Sequence, residues 1–394
     1  MTEREFDLIL FGATGFTGNL AARYLAKAAP KQARIALAGR NRERLFAIRD
    51  ELKKLSKEIH GEDRVIEVIP ASLERPETLR AMAERGRVLI TTVGPYRLYG
   101  EPVLRAAVEA GTDYIDITGE PAFVEEMIRK YHDRAEEKKL RIVPCCGFDS
   151  IPHDLGTYFT VKQLPEDEAK EVDAFVRMRG SFSGGTWNSA LNAFAEARQM
   201  RRDMRRGFAD PTTTREVINA SKPVRRGPHG VEWALVMPTI DPDIVLRSAS
   251  MLPVYGPSFR YGHYLHHRSG VSAAKTAVGA LGLVGLAQIE PIRKMLGRLR
   301  PSGEGPSEEE RARSSFEVTF IGRSSSGAEV ETRFAGGDPG YDETSKMLSE
   351  AALCLAFDRE ELPPSYGIVT TAAAMGDRLI ERCRNAGLVI ERVS

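Results

Sequence analysis

The feature that most limits what this chain can fold into is the apolar run Phe6-Asp7-Leu8-Ile9-Leu10-Phe11. It breaks into Gly12-Ala13-Thr14-Gly15-Phe16-Thr17-Gly18 and continues with Leu20, Tyr24 and Leu25 at helical spacing. The pattern predicts a buried strand, a glycine turn and a helix. Such a unit receives anions. Gly12 turns the chain off the strand, Gly15 lets the backbone approach a pyrophosphate, and Gly18 lets the helix pack against the strand, while the helix N-terminus offers N–H groups and its positive dipole end. The spacing is G-x-x-G-x-x-G, not G-x-G-x-x-G, and an ordinary strand-to-helix turn is the plainer reading of glycines alone. The strand before, the helix after and the N-terminal position favour a nucleotide. Thr14, Phe16 and Thr17 lie in the same turn and join the three glycines as expected cofactor contacts.

A second apolar strand, Ala33 to Ala38, ends at Gly39-Arg40-Asn41. An acidic residue at this point would hold a ribose 2′-hydroxyl, whereas an arginine suits a 2′-phosphate, so Arg40 favours NADP(H) over NAD. The alternative is an arginine that merely opens the exposed helix from Arg42 to Lys57. Val65 to Ile69 follows as a third strand, Leu73 to Glu84 as a helix, and Val88 to Val93 as a fourth strand ending at Gly94-Pro95-Tyr96. Alternation of this kind, continued through Cys145, predicts a parallel sheet wound with helices. Ligands then lie beyond the carboxyl ends of the strands, which places Gly94, Pro95 and Tyr96 beside the nicotinamide and Asp116, at a later strand end, at the same crevice as a further cofactor contact.

From Ile151 the period changes. Val172 to Met178, Gly230 to Met237, Phe259 to Leu265, Phe316 to Ile321 and Ala328 to Phe334 read as strands of an antiparallel sheet, with a helix expected from Trp187 to about Arg205. The fold class expected is therefore α/β, a Rossmann-type parallel sheet with an inserted α+β domain built on an antiparallel sheet. Residues 1–150 form the cofactor domain, 151–338 the substrate or dimerisation domain, and 339–394 are helices that pack back on the first. A chain of 394 residues is too long for one ordinary core, which agrees with this division.

Charge narrows the partners. Lys and Arg number 56 against 55 Asp and Glu, so nothing favours nucleic acid, and small-molecule chemistry is the default. Four cysteines without C-x-x-C spacing fit a reducing compartment, and the charged start Met1-Thr2-Glu3-Arg4-Glu5 has no apolar signal core, so a cytoplasmic location is expected. The apolar segment 271–289 is shorter than the roughly 20 residues a membrane span needs. It is read as packing on protein, a homodimer interface included, or as a peripheral contact with lipid. No metal is expected: His263, His266 and His267 lack carboxylates or cysteines at ligand spacing and read as surface histidines at a strand end.

Five stretches together carry a family likeness: Phe11 to Gly18, Leu37 to Arg40, Thr91 to Tyr96, Gly111 to Glu120 and Gly147 to Pro152. Ser183 to Thr186, Gly303 to Ser307 and Thr371 to Asp377 extend it along essentially the whole chain. The sequence resembles the saccharopine dehydrogenase-like oxidoreductases, and within them the branch of trans-acting enoyl reductases. The resemblance implies an NADP-binding Rossmann domain, an inserted substrate domain, and reduction of a carbon–carbon double bond in an acyl or polyketide thioester presented by a carrier protein. Two positions depart from the relatives: Ser72 stands where an aspartate is usual, and His153 where a serine is usual.

An enoyl reductase needs a hydride over the β-carbon, a polarised thioester carbonyl and a proton for the α-carbon. Tyr96 is the expected proton donor, because a phenol beside a nicotinamide can donate and a cationic neighbour lowers its pKa. Ser183, Gly184, Gly185 and Thr186 are expected at the substrate carbonyl, with a plain helix cap as the alternative, and Asp149 and His153 on the substrate side of the crevice. Two other functions fit the same residues. One is an oxidoreductase acting on an amino-acid-derived imine, and the other is a non-catalytic NADP-binding protein associated with lipid.

Overall fold

Strand β1 (Phe6–Phe11) is buried along its whole length, as befits a strand that hydrogen-bonds on both edges within a parallel sheet. It opens the order expected for a wound sheet: α1 (Phe16–Ala28), β2 (Ile35–Gly39), α2 (Arg42–His60), β3 (Ile66–Pro70), α3 (Pro76–Ala83), β4 (Gly86–Thr91), α4 (Tyr96–Ala110), β5 (Asp113–Asp116), α5 (Pro121–Glu137) and β6 (Arg141–Val143). The computed structural model describes residues 4–61, 64–180, 208–287 and 305–394. The expected helix from Trp187 lies outside them.

These residues divide into two units. The first comprises Met1–Phe148 and Tyr341–Arg382. Its seven strands, all parallel, run in the order Gly367–Ile368, β6, β5, β4, β1, β2, β3. The order reverses between β1 and β4, which creates a crevice at their carboxyl ends. Helix Asp342–Phe357 lies along α1. Ser345 and Ser349 donate to the carbonyls of Thr17 and Ala21 at 3.3 and 3.5 Å, and Tyr24 Oη donates to Glu350 at 2.8 Å. Short side chains at Ala21 and Ala22 allow that approach.

The second unit comprises Asp149–Gly340 and Cys383–Ser394. It contains α6 (Ile151–Val161), β7 (Lys170–Arg179), β8 (Glu216–Asn219), β9 (Val224–Arg226), β10 (Trp233–Val236), α7 (Asp241–Met251), β11 (Ser258–His267), α8 (Gly270–Ala287), α9 (Glu308–Ala312), β12 (Ser315–Ser324) and β13 (Glu329–Gly336). The sheet is mixed, not wholly antiparallel: β11 runs parallel to β7 on one side and to β8 on the other. Parallel neighbours need a crossover, and α7 lies in the connection from β8 to β11. The tail also differs from an all-helical one, because Val389–Arg392 forms a strand antiparallel to β13, opposing Ile390 to Phe334 and burying both. No described helix is long and apolar enough to cross a membrane, although Val271 and Val278 of α8 are 68% and 70% exposed.

Candidate functional site

In the first unit the glycine turn closes on itself. Gly12 N donates to Ala38 O at 3.0 Å and Gly15 N to Gly12 O at 2.9 Å, with Gly12 at φ +100°, a region that L side chains rarely adopt. A Cβ at Gly18 would stand 2.2 Å from Gly12 O, so only glycine permits this approach of α1 to the turn. Gly15 is exposed and is the N-cap of α1, where it brings no side chain to satisfy the first-turn N–H groups. Its own Cβ would meet nothing closer than 3.4 Å. Room for a ligand backbone and an uncapped helix start together fit a pyrophosphate. Arg40 is exposed directly after β2, followed by Asn41, whose Oδ1 accepts from Arg44 N at 2.9 Å and starts α2. An arginine there fits a 2′-phosphate.

After β4, Gly94 and Pro95 are exposed at the crevice edge, joined by a cis peptide bond. Tyr96 turns inward. Its ring is buried, its hydroxyl donates to Thr91 O at 3.0 Å and accepts from Ile117 N at 3.3 Å, and burial with the nearby Asp116 charge pushes its pKa well above the ordinary value. The expected lowering by a cation is therefore reversed, and a hydroxyl committed to two main-chain groups is a poor proton donor. Asp116 also faces away from solvent. Fully buried, it accepts from Thr118 N at 2.9 Å, Tyr114 Oη at 2.8 Å and Cys145 N at 3.1 Å, so it ties β5 to the loop after β6 instead of reaching a cofactor. Desolvation lifts its pKa to about 6. A residue the sequence did not single out for a role here is Glu120, whose carboxylate accepts from Tyr96 N and Arg97 N at 2.8 and 3.0 Å and caps α4. Its only sequence signal was its place in Gly119-Glu120-Pro121 at a strand end.

In the second unit Asp149 is half-buried and His153, in the first turn of α6, is fully buried. His153 therefore presents nothing at a surface. It meets His263 of β11 edge to face, ring centroids 4.8 Å apart, and Asp241 at the start of α7, with Nε2 3.8 Å from Oδ1. His263 Nε2 stands 3.5 Å from Asp241 Oδ2. Burial lowers both histidine pKa values to about 3 and raises those of Asp241 and Asp149, which also repel one another. The expected surface histidines are thus corrected: His263 and His267 are buried, and His263 lies beside a carboxylate without a hydrogen bond to it. Sequence spacing missed this because the three side chains come from α6, α7 and β11. Ser183, Gly184, Gly185 and Thr186 lie outside the described residues.

Comparisons with known proteins agree with the nucleotide turn. The saccharopine dehydrogenase NADP-binding domain matches residues 8–143. A Mycobacterium tuberculosis protein provisionally named as a trans-acting enoyl reductase is 40% identical over 99% of this chain and 98% of its own. A trans-acting enoyl reductase of Mycobacterium ulcerans is 35% identical over 98% of each. Among solved structures, the apo saccharopine dehydrogenase (L-Glu forming) of Saccharomyces cerevisiae superposes with a TM-score of 0.54 at 12% identity, covering 99% of this chain and 100% of that one. That likeness shows the fold. Near-complete coverage at 40% identity shows the family, and the domain match names the cofactor: the chain is an NADP-dependent oxidoreductase of the saccharopine dehydrogenase-like family and belongs with the trans-acting enoyl reductases.

Proposed function

We propose that the protein reduces the carbon–carbon double bond of an enoyl thioester, taking its acyl or polyketide substrate from a carrier protein in lipid biosynthesis. The observation that carries this reading is the similarity to enoyl reductases along nearly the whole chain, second unit included. When bound, NADPH supplies the hydride that reaches the β-carbon. The turn from Gly12 to Gly18 and the start of α1 hold the pyrophosphate, Arg40 takes the 2′-phosphate, and Gly94 and Pro95 border the reacting end of the crevice. Glu120 fixes the start of α4 and so the position of that border. Ser183 and Thr186 are the proposed donors to the thioester carbonyl, where negative charge grows as the β-carbon is reduced. A proton then reaches the α-carbon from a group other than Tyr96.

The test is single-turnover oxidation of NADPH by purified protein, followed by nicotinamide fluorescence. One arm carries an enoyl thioester on a pantetheine or carrier protein, and the other an imine formed from an amino acid and an aldehyde. Turnover of the thioester with formation of the saturated acyl product supports the proposal. Turnover of the imine alone replaces it with the saccharopine-like reaction, and NADPH binding without turnover in either arm refutes it.

A further inference from the structure

The second unit holds three side chains whose donor atoms converge without an apparent role in reduction. His153 Nε2 or Nδ1, a carboxylate oxygen of Asp241 and a ring nitrogen of His263 all lie within 4.8 Å of one another, and all three residues are fully buried. Among the described residues, neither Asp241 Oδ1 nor His263 Nε2 has a hydrogen-bond partner. A buried acceptor left unmatched is destabilising, so the protein gains if something fills the space between them. The remaining atoms are already oriented. His263 Nδ1 lies 3.2 Å from Tyr261 Oη, a contact that holds the imidazole ring in place, and Asp241 Oδ2 accepts from Thr239 Oγ1 at 2.5 Å. Outer partners of this kind fix ligands in metal sites.

We propose that His153, Asp241 and His263 form a binding site for one divalent transition-metal ion of the zinc class. Two imidazoles and one carboxylate leave a fourth, open coordination position for water or for another oxygen. In a tetrahedral site with bonds of about 2.1 Å, donors stand about 3.4 Å apart. Asp241 stands 3.8 Å from His153 through Oδ1 and 3.5 Å from His263 through Oδ2, and with one atom taken from each residue the three donors lie within 4.8 Å of one another, so the side chains draw in when the ion binds. The ion joins α6, the start of α7 and β11, three elements far apart in sequence, and so fastens the second unit from inside. It is distinct from the nucleotide turn, which lies wholly in the first unit.

The test uses the full chain without a histidine tag, produced with added zinc. Metal per chain is measured by plasma mass spectrometry, and thermal unfolding is followed after stripping with a strong chelator and again after adding zinc alone. One zinc per chain is expected. The stripped protein should unfold at a lower temperature and recover when zinc is restored, and cobalt should give visible absorption bands of a four-coordinate site. His263→Gln and Asp241→Asn should weaken zinc binding by at least about tenfold, whereas His229→Gln, at an exposed histidine, should retain it. Should the cluster variants fail to fold, the strip-and-restore titration of the wild-type protein decides by itself. Wild-type protein that takes up neither zinc nor cobalt overturns the proposal, as does zinc binding that survives in both cluster variants or is lost with His229→Gln.

Discussion

Gly18→Ala and Gly15→Ala separate the two demands made on the nucleotide turn. At Gly18 an added methyl would stand 2.2 Å from Gly12 O and 2.8 Å from Thr92 Oγ1, whereas real Cβ contacts do not fall below 3.0 Å. One of these contacts is backbone, so α1 must retreat by at least 0.8 Å. Forced expansion of a packed site costs about 1–3 kcal/mol, which for a unit of this size lowers the midpoint of unfolding by roughly 2–10 °C. The same displacement moves the helix start away from the phosphates and should raise the Kd for NADPH by about tenfold or more. At Gly15 the situation is reversed. Its φ of −79° suits any residue and its nearest neighbour would be 3.4 Å away, so Gly15→Ala should leave the unliganded protein within about 0.5 kcal/mol of wild type. It places a methyl where the pyrophosphate approaches, however, and NADPH affinity should fall at least about tenfold. Calorimetry without ligand and fluorescence titration with NADPH measure the two effects. The reasoning fails if Gly15→Ala binds NADPH as tightly as wild type, or if Gly18→Ala unfolds at the wild-type temperature.

Three further outcomes are expected. Arg40→Ala should weaken NADPH by about tenfold or more, since a charge-assisted hydrogen bond contributes about 1.5–3 kcal/mol, and leave NADH affinity unchanged; parallel titrations decide it. Tyr96→Phe removes a hydroxyl bonded to Thr91 O and Ile117 N, so it should destabilise by about 1–2 kcal/mol with turnover near wild type; a hundredfold loss of turnover in folded protein would reinstate Tyr96 as the proton donor. Asp116 has its folded pKa raised to about 6 from 3.8. The stability it gains by protonation is complete below pH 4 and is lost as pH rises through 6, so Asp116→Asn should be the more stable protein by about 3 kcal/mol at pH 7.5 and lose that advantage near pH 4, measured by urea unfolding across pH.

Much of the first unit was legible because its signals are local. An apolar run followed by Gly12, Gly15 and Gly18 specifies strand, turn and helix within twenty residues, and the exposed Arg40 follows β2 at the expected offset. What side chains do after the strand ends was not legible. Tyr96 and Asp116 sit at the right places in the chain, yet each points inward, because main-chain groups of neighbouring loops claim them and no local pattern records that. In the second unit, alternation revealed strands but not direction: β11 lies parallel to β7 and β8, with α7 in the connection from β8. The joining of His153, Asp241 and His263 depends on three segments meeting, and residue spacing carries no trace of it.

The return of Tyr341–Arg382 to the first unit has a consequence for synthesis. The ribosome releases the nucleotide turn early, but the helix that lies along α1 follows only after the whole of Asp149–Gly340. At roughly 5–20 residues per second, the stretch from Ala28 to Asp342 leaves α1 without its neighbour for about fifteen to sixty seconds. During that interval Ala21, Ala22 and Leu25, buried in the finished protein, lack part of their cover. The second unit waits in the same way for Val389–Arg392 to flank β13. Two units that bury separate cores are therefore finished almost together, and a nascent chain halted near residue 340 would expose both an uncovered helix and an open sheet edge to whatever holds newly made protein.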